Sequence, residues 1–359
     1  MLQNLILEHS TISLYPRLIG KAIRFNSNQN RTKFISNLII LLFSFFSGVS
    51  LAKYENSNPS IGLKSLSDVI KWRLDAPPAP ERVQIELSSE WQDKDFAADD
   101  YAVWIGHSTF LIKHKNLTVL TDPVFSKRAS PFSWIGPKRL IPPAIPMAEL
   151  PKVDVILISH NHYDHLDIKS IKKIQARNSS LKVFVPKGDM RLLKKRGIRN
   201  VFEFGWWDSK QLDSVDFIFT PAQHWSGRGV FDRNKSWWGG WLIKTKFKSI
   251  FHAGDTGYSQ DFLEIRSRFG PIDVAFLPIG AFEPRWFMSG QHVDPTEALK
   301  IAADLEVTKA YGMHWGTFIL TDEAVLEPRK QLIKLQGPAI NTSSPIFTPK
   351  PGEWLDLSN

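Results

Sequence analysis

The chain contains no cysteine. That excludes a disulfide framework, thiolate metal ligands, a cysteine nucleophile and a lipid-modified cysteine. Any metal site must therefore be built from histidine and carboxylate. No Lys/Arg-rich block, nucleic-acid module, internal repeat or low-complexity tract stands out, so nucleic acid is not an expected partner. The formal net charge of +9 favours other anions, such as acidic lipid headgroups or phosphate-bearing substrates. With 359 residues, 43% of them hydrophobic, the chain can bury a large core. Thirteen tryptophans suit a surface that meets lipid as well as a packed interior.

One long apolar run is present. Phe34 to Ala52, "FISNLIILLFSFFSGVSLA", is uncharged and follows Arg17, Lys21, Arg24, Arg31 and Lys33. A helix of roughly 20 apolar residues crosses a bilayer, and basic residues ahead of it favour a cytoplasmic N-terminus. The expectation is an apolar N-terminal helix acting as an uncleaved membrane anchor, with the main domain on the extracytoplasmic side. Ser50 and Ala52 are small enough for signal-peptide cleavage, the rival outcome.

Three zones follow: residues 1–52 as leader and anchor or signal segment, 53–100 as a polar connector, and 101–359 as a single α/β domain. The connector carries a helix pattern over Ser65 to Leu74, with Leu66, Ile70 and Leu74 on one face. In the domain, "VWIGHSTFLI" and "LTVLTDPVF" read as paired strands and "VDVILISH" as a buried strand followed by the helical "IKSIKKIQARN". "LKVFVP", "VDFIFTPAQH", "WWGGWLIKT", "SIFHAGD", "VAFLPIGA" and "KAYGMHWG" are further strands. Pro295 to Leu305 reads as a helix with Asp294 as N-cap. Many strands and few helices imply two sheets packed face to face with helices outside, and functional groups gathered at the strand ends.

The densest chemistry is His160-x-His162-x-Asp164-His165, directly after a greasy strand. Residues two apart in an extended segment point the same way, so His160 and His162 can converge on one ion. Asp164 and His165, in the turn, can face a neighbouring ion. Imidazole and carboxylate are the ligands that suit Zn²⁺ where sulfur is absent. His224, Asp255 and His314 each end a strand downstream. Since one carboxylate can bridge two metals, Asp255 would complete a pair of sites.

"SHNHYDHLD", "HAGDTGYS" and "HWGTF", in this order, resemble the metallo-β-lactamase fold. Adding "WWGGW", "IGAFEPRWFM" and "QHVDPTEA", the stretch from about Tyr101 to Glu327 is similar to the N-acylphosphatidylethanolamine-hydrolysing phospholipases D. The resemblance implies a four-layer αββα sandwich and two Zn²⁺ ions. One would be held by His160, His162 and His224, the other by Asp164, His165 and His314, with Asp255 bridging. It further implies that Tyr163 and His292 meet substrate, that Asp255 and His292 take part in catalysis, and that the substrate is a membrane phospholipid reached at the membrane surface. Because the family it resembles often dimerises, a homodimer is a further expectation. On packing grounds Tyr163 reads equally as a residue at the loop base, and His292 as one flanking a helix N-terminus. His107 and Asp122 are expected to orient metal ligands, His252 to lie in the core, and His114, between Lys113 and Lys115, at the surface. Trp206, Trp207, Trp286 and Phe287 are candidates for contact with lipid. The implied reaction is hydrolysis of N-acylphosphatidylethanolamine to phosphatidic acid and an N-acylethanolamine. The alternatives are another hydrolase on the same scaffold, either a sugar-phosphate lactonase or another phosphodiesterase, and a metal-dependent binding protein without turnover.

Overall fold

The computed structural model describes residues 54–59, 64–98, 100–229, 231–337 and 343–358. The apolar helix expected over 34–52 lies outside the described residues. Among the described residues no helix is long and apolar enough to cross a membrane.

Two seven-stranded sheets form the body. The first is built from β1 (Tyr101–Gly106), β2 (Thr109–His114), β3 (Leu117–Thr121), β4 (Val155–Leu157), β5 (Lys182–Pro186) and β6 (Val201–Phe204), with β14 (Trp354–Asp356) added beside β1. The second runs from β7 (Ser209–Leu212) through β8 (Val215–Thr220), β9 (Gly240–Lys244), β10 (Ser249–His252), β11 (Val274–Pro278) and β12 (Lys309–Met313) to β13 (Ile346–Phe347). In each sheet one half pairs antiparallel and the other parallel.

Strand alternation separates two cores. Ala102, Trp104, Phe110, Ile112, Val119, Val155, Leu157 and Phe184 of the first sheet join the inner faces of the second. Their neighbours Val103, Ile105, Leu111, Leu120, Ile156, Val183 and Val185 point the other way. There they meet Ile171 and Ile174 of α2 (Ile168–Arg177) and Leu193 of α3 (Met190–Lys195). The second sheet packs with α4 (Asp261–Phe269), α6 (Pro295–Asp304) and α7 (Glu327–Gln336) through Phe262, Ile265, Ala298, Ile301 and Leu332. The architecture is the α/β sandwich of two sheets with helices outside that the resemblance to the metallo-β-lactamase fold implies. Covered on both sides, central strands such as β1, β4 and β11 read as continuous apolar runs with no visible alternation.

The structure corrects several local expectations. "VWIGHSTFLI" is two strands, because the chain turns at Gly106 (φ 128°) and His107 (φ 55°) before β2 returns along β1. The connector helix forms as α1 (Leu66–Asp75), capped reciprocally by Ser65 and Asp68. Its packed face, however, is Val69, Trp72 and Ala76 rather than the one ending in Leu74, which is 80% exposed. Trp72 decides the orientation: its ring lies 4.7 Å from that of Phe287, and its indole N–H donates to Asp322. Phe287, in α5 (Arg285–Met288), is thereby buried, while Trp286 stays exposed. Trp206 donates to the Trp238 carbonyl and meets Trp237 in a tilted contact at 4.2 Å, and Trp207 lies under the Arg268 guanidinium. Of the four aromatics offered for lipid contact, Trp286 is exposed, Trp206 and Trp207 are half-buried, and Phe287 is buried. His114 is buried and pairs with Asp100, because alternation turns its neighbours Lys113 and Lys115 outward and His114 inward. His252 is in the core, hydrogen-bonded to the Ser108 carbonyl.

Candidate metal centre

Strand direction collects the chemistry at one edge. β3 and β4 run parallel, as do β10, β11 and β12, and β8 shares the direction of β10 because both are antiparallel to β9. Asp122 follows β3, the 160–165 loop follows β4, His224 follows β8, Asp255 follows β10 and His314 follows β12. Gly254 permits the close approach of two of these loops. Its φ is +65°, and a Cβ there would lie 2.7 Å from Ser159 Cβ and 2.9 Å from the Gly239 carbonyl.

His160, His162 and His224 converge: His162 Nδ1 lies 2.8 Å from His160 Nε2 and 3.3 Å from His224 Nε2. Opposite them, Asp164 Oδ2 lies 3.0 Å from His107 Nε2, 3.6 Å from His165 Nε2 and 3.8 Å from His314 Nε2. Asp255 sits between the two groups. Its Oδ2 is 3.9 Å from both His160 and His224 Nε2 and 3.1 Å from His165 Nε2, while its Oδ1 is 3.1 Å from His314 Nε2. His292 Nδ1 is 4.0 Å from Asp255 Oδ2.

Orienting contacts fix several rings. His165 Nδ1 donates to Asp122 Oδ2, which also accepts from the Ser159 hydroxyl, while Asp122 Oδ1 accepts from the Ser159 N–H. His224 Nδ1 donates to the Gln291 carbonyl at 2.9 Å, leaving Nε2 for the cluster. Asp122 was legible as an orienting group from "LTDPVF"; the Gln291 carbonyl was not, because a backbone oxygen has no residue signature. His107 lies nearer than an orienting role requires, within the group formed with Asp164, His165 and His314. Tyr163 is turned aside: its hydroxyl donates to the Arg228 carbonyl and its ring carries the Arg228 guanidinium at 3.9 Å. It lines a separate cavity of about 780 Å³ behind the loop. The His292 carbonyl accepts from Arg285 and its N–H donates to Met288, so it does flank the helix region while its ring faces the cluster.

The electrostatics divide the centre. Burial, reinforced by neighbouring imidazoles, holds His160 well below the usual histidine value, and burial holds His224 there and pushes His162 down to about 3. Burial also acts against charge on His165 and His314, but there it loses. Asp255, Asp164 and Asp122 raise His165 well above its usual value, and Asp255 with Asp164 raises His314 to about 9. Burial likewise opposes ionisation of Asp164 and Asp255, yet the facing histidines, His165 foremost, hold both well below the carboxylate range.

The donor set fits a divalent metal. His162 Nε2, His314 Nδ1 and His292 Nδ1 are buried without a hydrogen-bond partner, an arrangement that costs stability unless something binds them. Ligand atoms within each of the groups His160/His162/His224 and His107/Asp164/His165/His314 lie within 4.8 Å of one another.

Comparison with known proteins agrees. The profile of the beta-lactamase superfamily domain matches residues 118–315. The chain is 38% identical over 267 residues to N-acyl-phosphatidylethanolamine-hydrolyzing phospholipase D 1 of Caenorhabditis elegans, covering 69% of this chain and 75% of that protein. It is 42% identical over 239 residues to the mitochondrial N-acyl-phosphatidylethanolamine-hydrolyzing phospholipase D of Saccharomyces cerevisiae, covering 65% of this chain and 51% of that longer protein. A possible metal-dependent hydrolase from Veillonella parvula shares the fold with a TM-score of 0.59 at 20% identity, over 72% of this chain and all (100%) of that one. The mitochondrial name of the yeast relative corrects the membrane-anchored, extracytoplasmic localisation expected from residues 34–52. Basic residues ahead of an apolar run fit more than one kind of targeting segment, so composition did not choose between them. The chain belongs to the metallo-β-lactamase superfamily, in the family of the N-acyl-phosphatidylethanolamine-hydrolysing phospholipases D, and is a metal-dependent hydrolase of that family.

Proposed function

We propose that the protein is a zinc-dependent phosphodiesterase of phospholipase D type, hydrolysing N-acylphosphatidylethanolamine to an N-acylethanolamine and phosphatidic acid. The observation that carries this reading is Asp255 lying between two ligand groups, in a chain 38% identical to a relative named for that reaction. His160, His162 and His224 would hold one Zn²⁺, and Asp164, His165 and His314 the second. When bound, a pair of zinc ions supplies water acidified to a pKa of about 7 and neutralises charge on phosphoryl oxygens.

The chain's own residues do the rest. Asp255 spans the two groups, sets their separation, and offers Oδ2 to hold the proton of the attacking water. Attack on phosphorus forms one P–O bond and breaks the bond to the ethanolamine oxygen, which must leave with a proton. Burial pushes His292 down to about 4, so its resting imidazole is neutral. A phosphodiester anion beside it raises its proton affinity, the sense needed for a group that carries a proton to the leaving oxygen. The net charge of +9 draws anionic phospholipid toward the protein.

The test is incubation of the purified chain with N-acylphosphatidylethanolamine and, separately, with bis(p-nitrophenyl) phosphate, with and without chelator. Mass spectrometry should find N-acylethanolamine and phosphatidic acid, lost with chelator and restored by zinc. Cleavage of the generic diester alone would point to another phosphodiesterase on this scaffold. No cleavage of either by metal-loaded protein would sink the hydrolytic assignment to phosphodiesters.

A further inference from the structure

His224 follows β8 without a ladder partner of its own; the neighbouring bridge is Gln223 to Gly257. Its backbone is satisfied from 168 residues away. Asn56 Nδ2 donates to the His224 carbonyl at 2.9 Å, and the His224 N–H donates to Asn56 Oδ1 at 3.1 Å. One carboxamide thus closes both backbone groups of one residue, as a neighbouring strand would. The Trp238 indole N–H, 2.8 Å from the same Oδ1, fixes which end of the amide faces which group. The segment around Asn56 is itself held down. Tyr54 stacks on Trp237 at 4.4 Å and its N–H donates to the Asn234 carbonyl, the Asn58 carbonyl accepts from Gln223 Nε2, and Ser57 bonds Asp261. Tyr54, Asn56, Ser57 and Asn58 all precede the span 118–315 matched by the family profile.

We infer that Asn56 is a positioning residue for the metal centre: the strap 54–59 fixes the backbone of His224 so that its imidazole stays aimed at the three-histidine group. The Gln291 carbonyl sets the rotation of the ring; Asn56 sets where the ring starts from. A ligand's supporting contacts contribute to metal affinity because an unsupported imidazole must be ordered when the ion binds. The inference rests on the reading of His224 as a metal ligand.

The full-length chain, stripped and titrated with cobalt(II), tests it, since the visible absorption of cobalt reports its ligand geometry directly. For Asn56→Ala we expect an unchanged circular dichroism spectrum, roughly 10–100-fold weaker binding of one cobalt equivalent, a shifted absorption band for that equivalent, and a fall in kcat with KM little changed. Asn56→Asp keeps the shape and the acceptor but sets a lone pair against the His224 carbonyl. It should weaken the same equivalent, and it carries the test should Asn56→Ala fail to fold. Wild-type affinity and spectrum in Asn56→Asp, or in a folded Asn56→Ala, would overturn the proposal. His224→Ala separates the two readings: full cobalt binding there would refute His224 as a ligand and leave nothing for Asn56 to position.

Discussion

The two sides of the centre solve the same problem, a cluster of buried imidazoles, in opposite ways. On the side of His160, His162 and His224, burial keeps the rings neutral and they crowd together with 2.8 and 3.3 Å between nitrogens. On the side of His165 and His314, Asp164 and Asp255 stand within 3.1–3.8 Å and the rings hold protons. The lesson is that ligand charge, not ligand count, distinguishes the halves. One side offers a metal neutral donors; the other must exchange a proton for it.

The largest effect should come from removing the residue both sides share. Asp255→Asn should lose metal from both groups and lower turnover far beyond the roughly 100-fold that loss of an orienting partner costs. Normal rate and full metal content in that variant would end the bridging assignment. Next, Asp122→Asn replaces the acceptor that aims His165 and should weaken metal on the carboxylate-rich side by roughly 10–100-fold, with a smaller loss on the three-histidine side by competitive chelator titration, where Asp122 acts only through the Ser159 hydroxyl 3.0 Å from His160 Nδ1. Equal loss from both sides would mean that the halves are not independent.

The pH dependence sharpens the contrast. A proton on His314, raised to about 9, must leave before its nitrogen binds metal. His165, also raised well above its usual value, must give up a proton as well, so affinity on that side should fall by at least tenfold for each pH unit below about 9, to be measured in His162→Ala. In His314→Ala, where the remaining group contains His162 at about 3, the slope between pH 6 and 8 should be far shallower. Identical slopes would erase the distinction.

The smallest effect on turnover should come from Asp189, which supports the three-histidine side by accepting from the side chains of Asn161 and Ser236. Burial raises its carboxyl from 3.8 to about 7. Such a group binds its proton more tightly folded than unfolded, so its stabilisation is complete below about pH 4 and is lost as pH rises through about 7. The ceiling is roughly 4 kcal/mol. Urea midpoints at pH 5 and 8 should differ less in Asp189→Asn than in the parent, with metal content unchanged.

Much of this centre was legible before folding. "HNHYDH" after an apolar strand, with "AGD" and "MHWG" ending later runs, carried both the fold and the ligand candidates, because a strand end fixes where a side chain emerges and residue type fixes its chemistry. Strand detection failed where that signal is weak. β7, "SKQL", is a polar edge strand with exposed positions, and β14 is three residues long. The expected face of α1 failed because apolar spacing counted Leu66, Ile70 and Leu74 alike, whereas the packing partner selects Trp72.

What sequence alone determined was the inventory: no sulfur, enough imidazole and carboxylate for a metal pair, and their order along the chain. Tertiary structure decided the proton on each ring, the carbonyl of Gln291 as an orienting group, the burial of His114 against Asp100, and the grip of Asn56 on His224. These depend on distances between residues far apart in the chain, and electrostatic and hydrogen-bond energies change steeply over a few ångströms. A linear pattern holds no record of such distances.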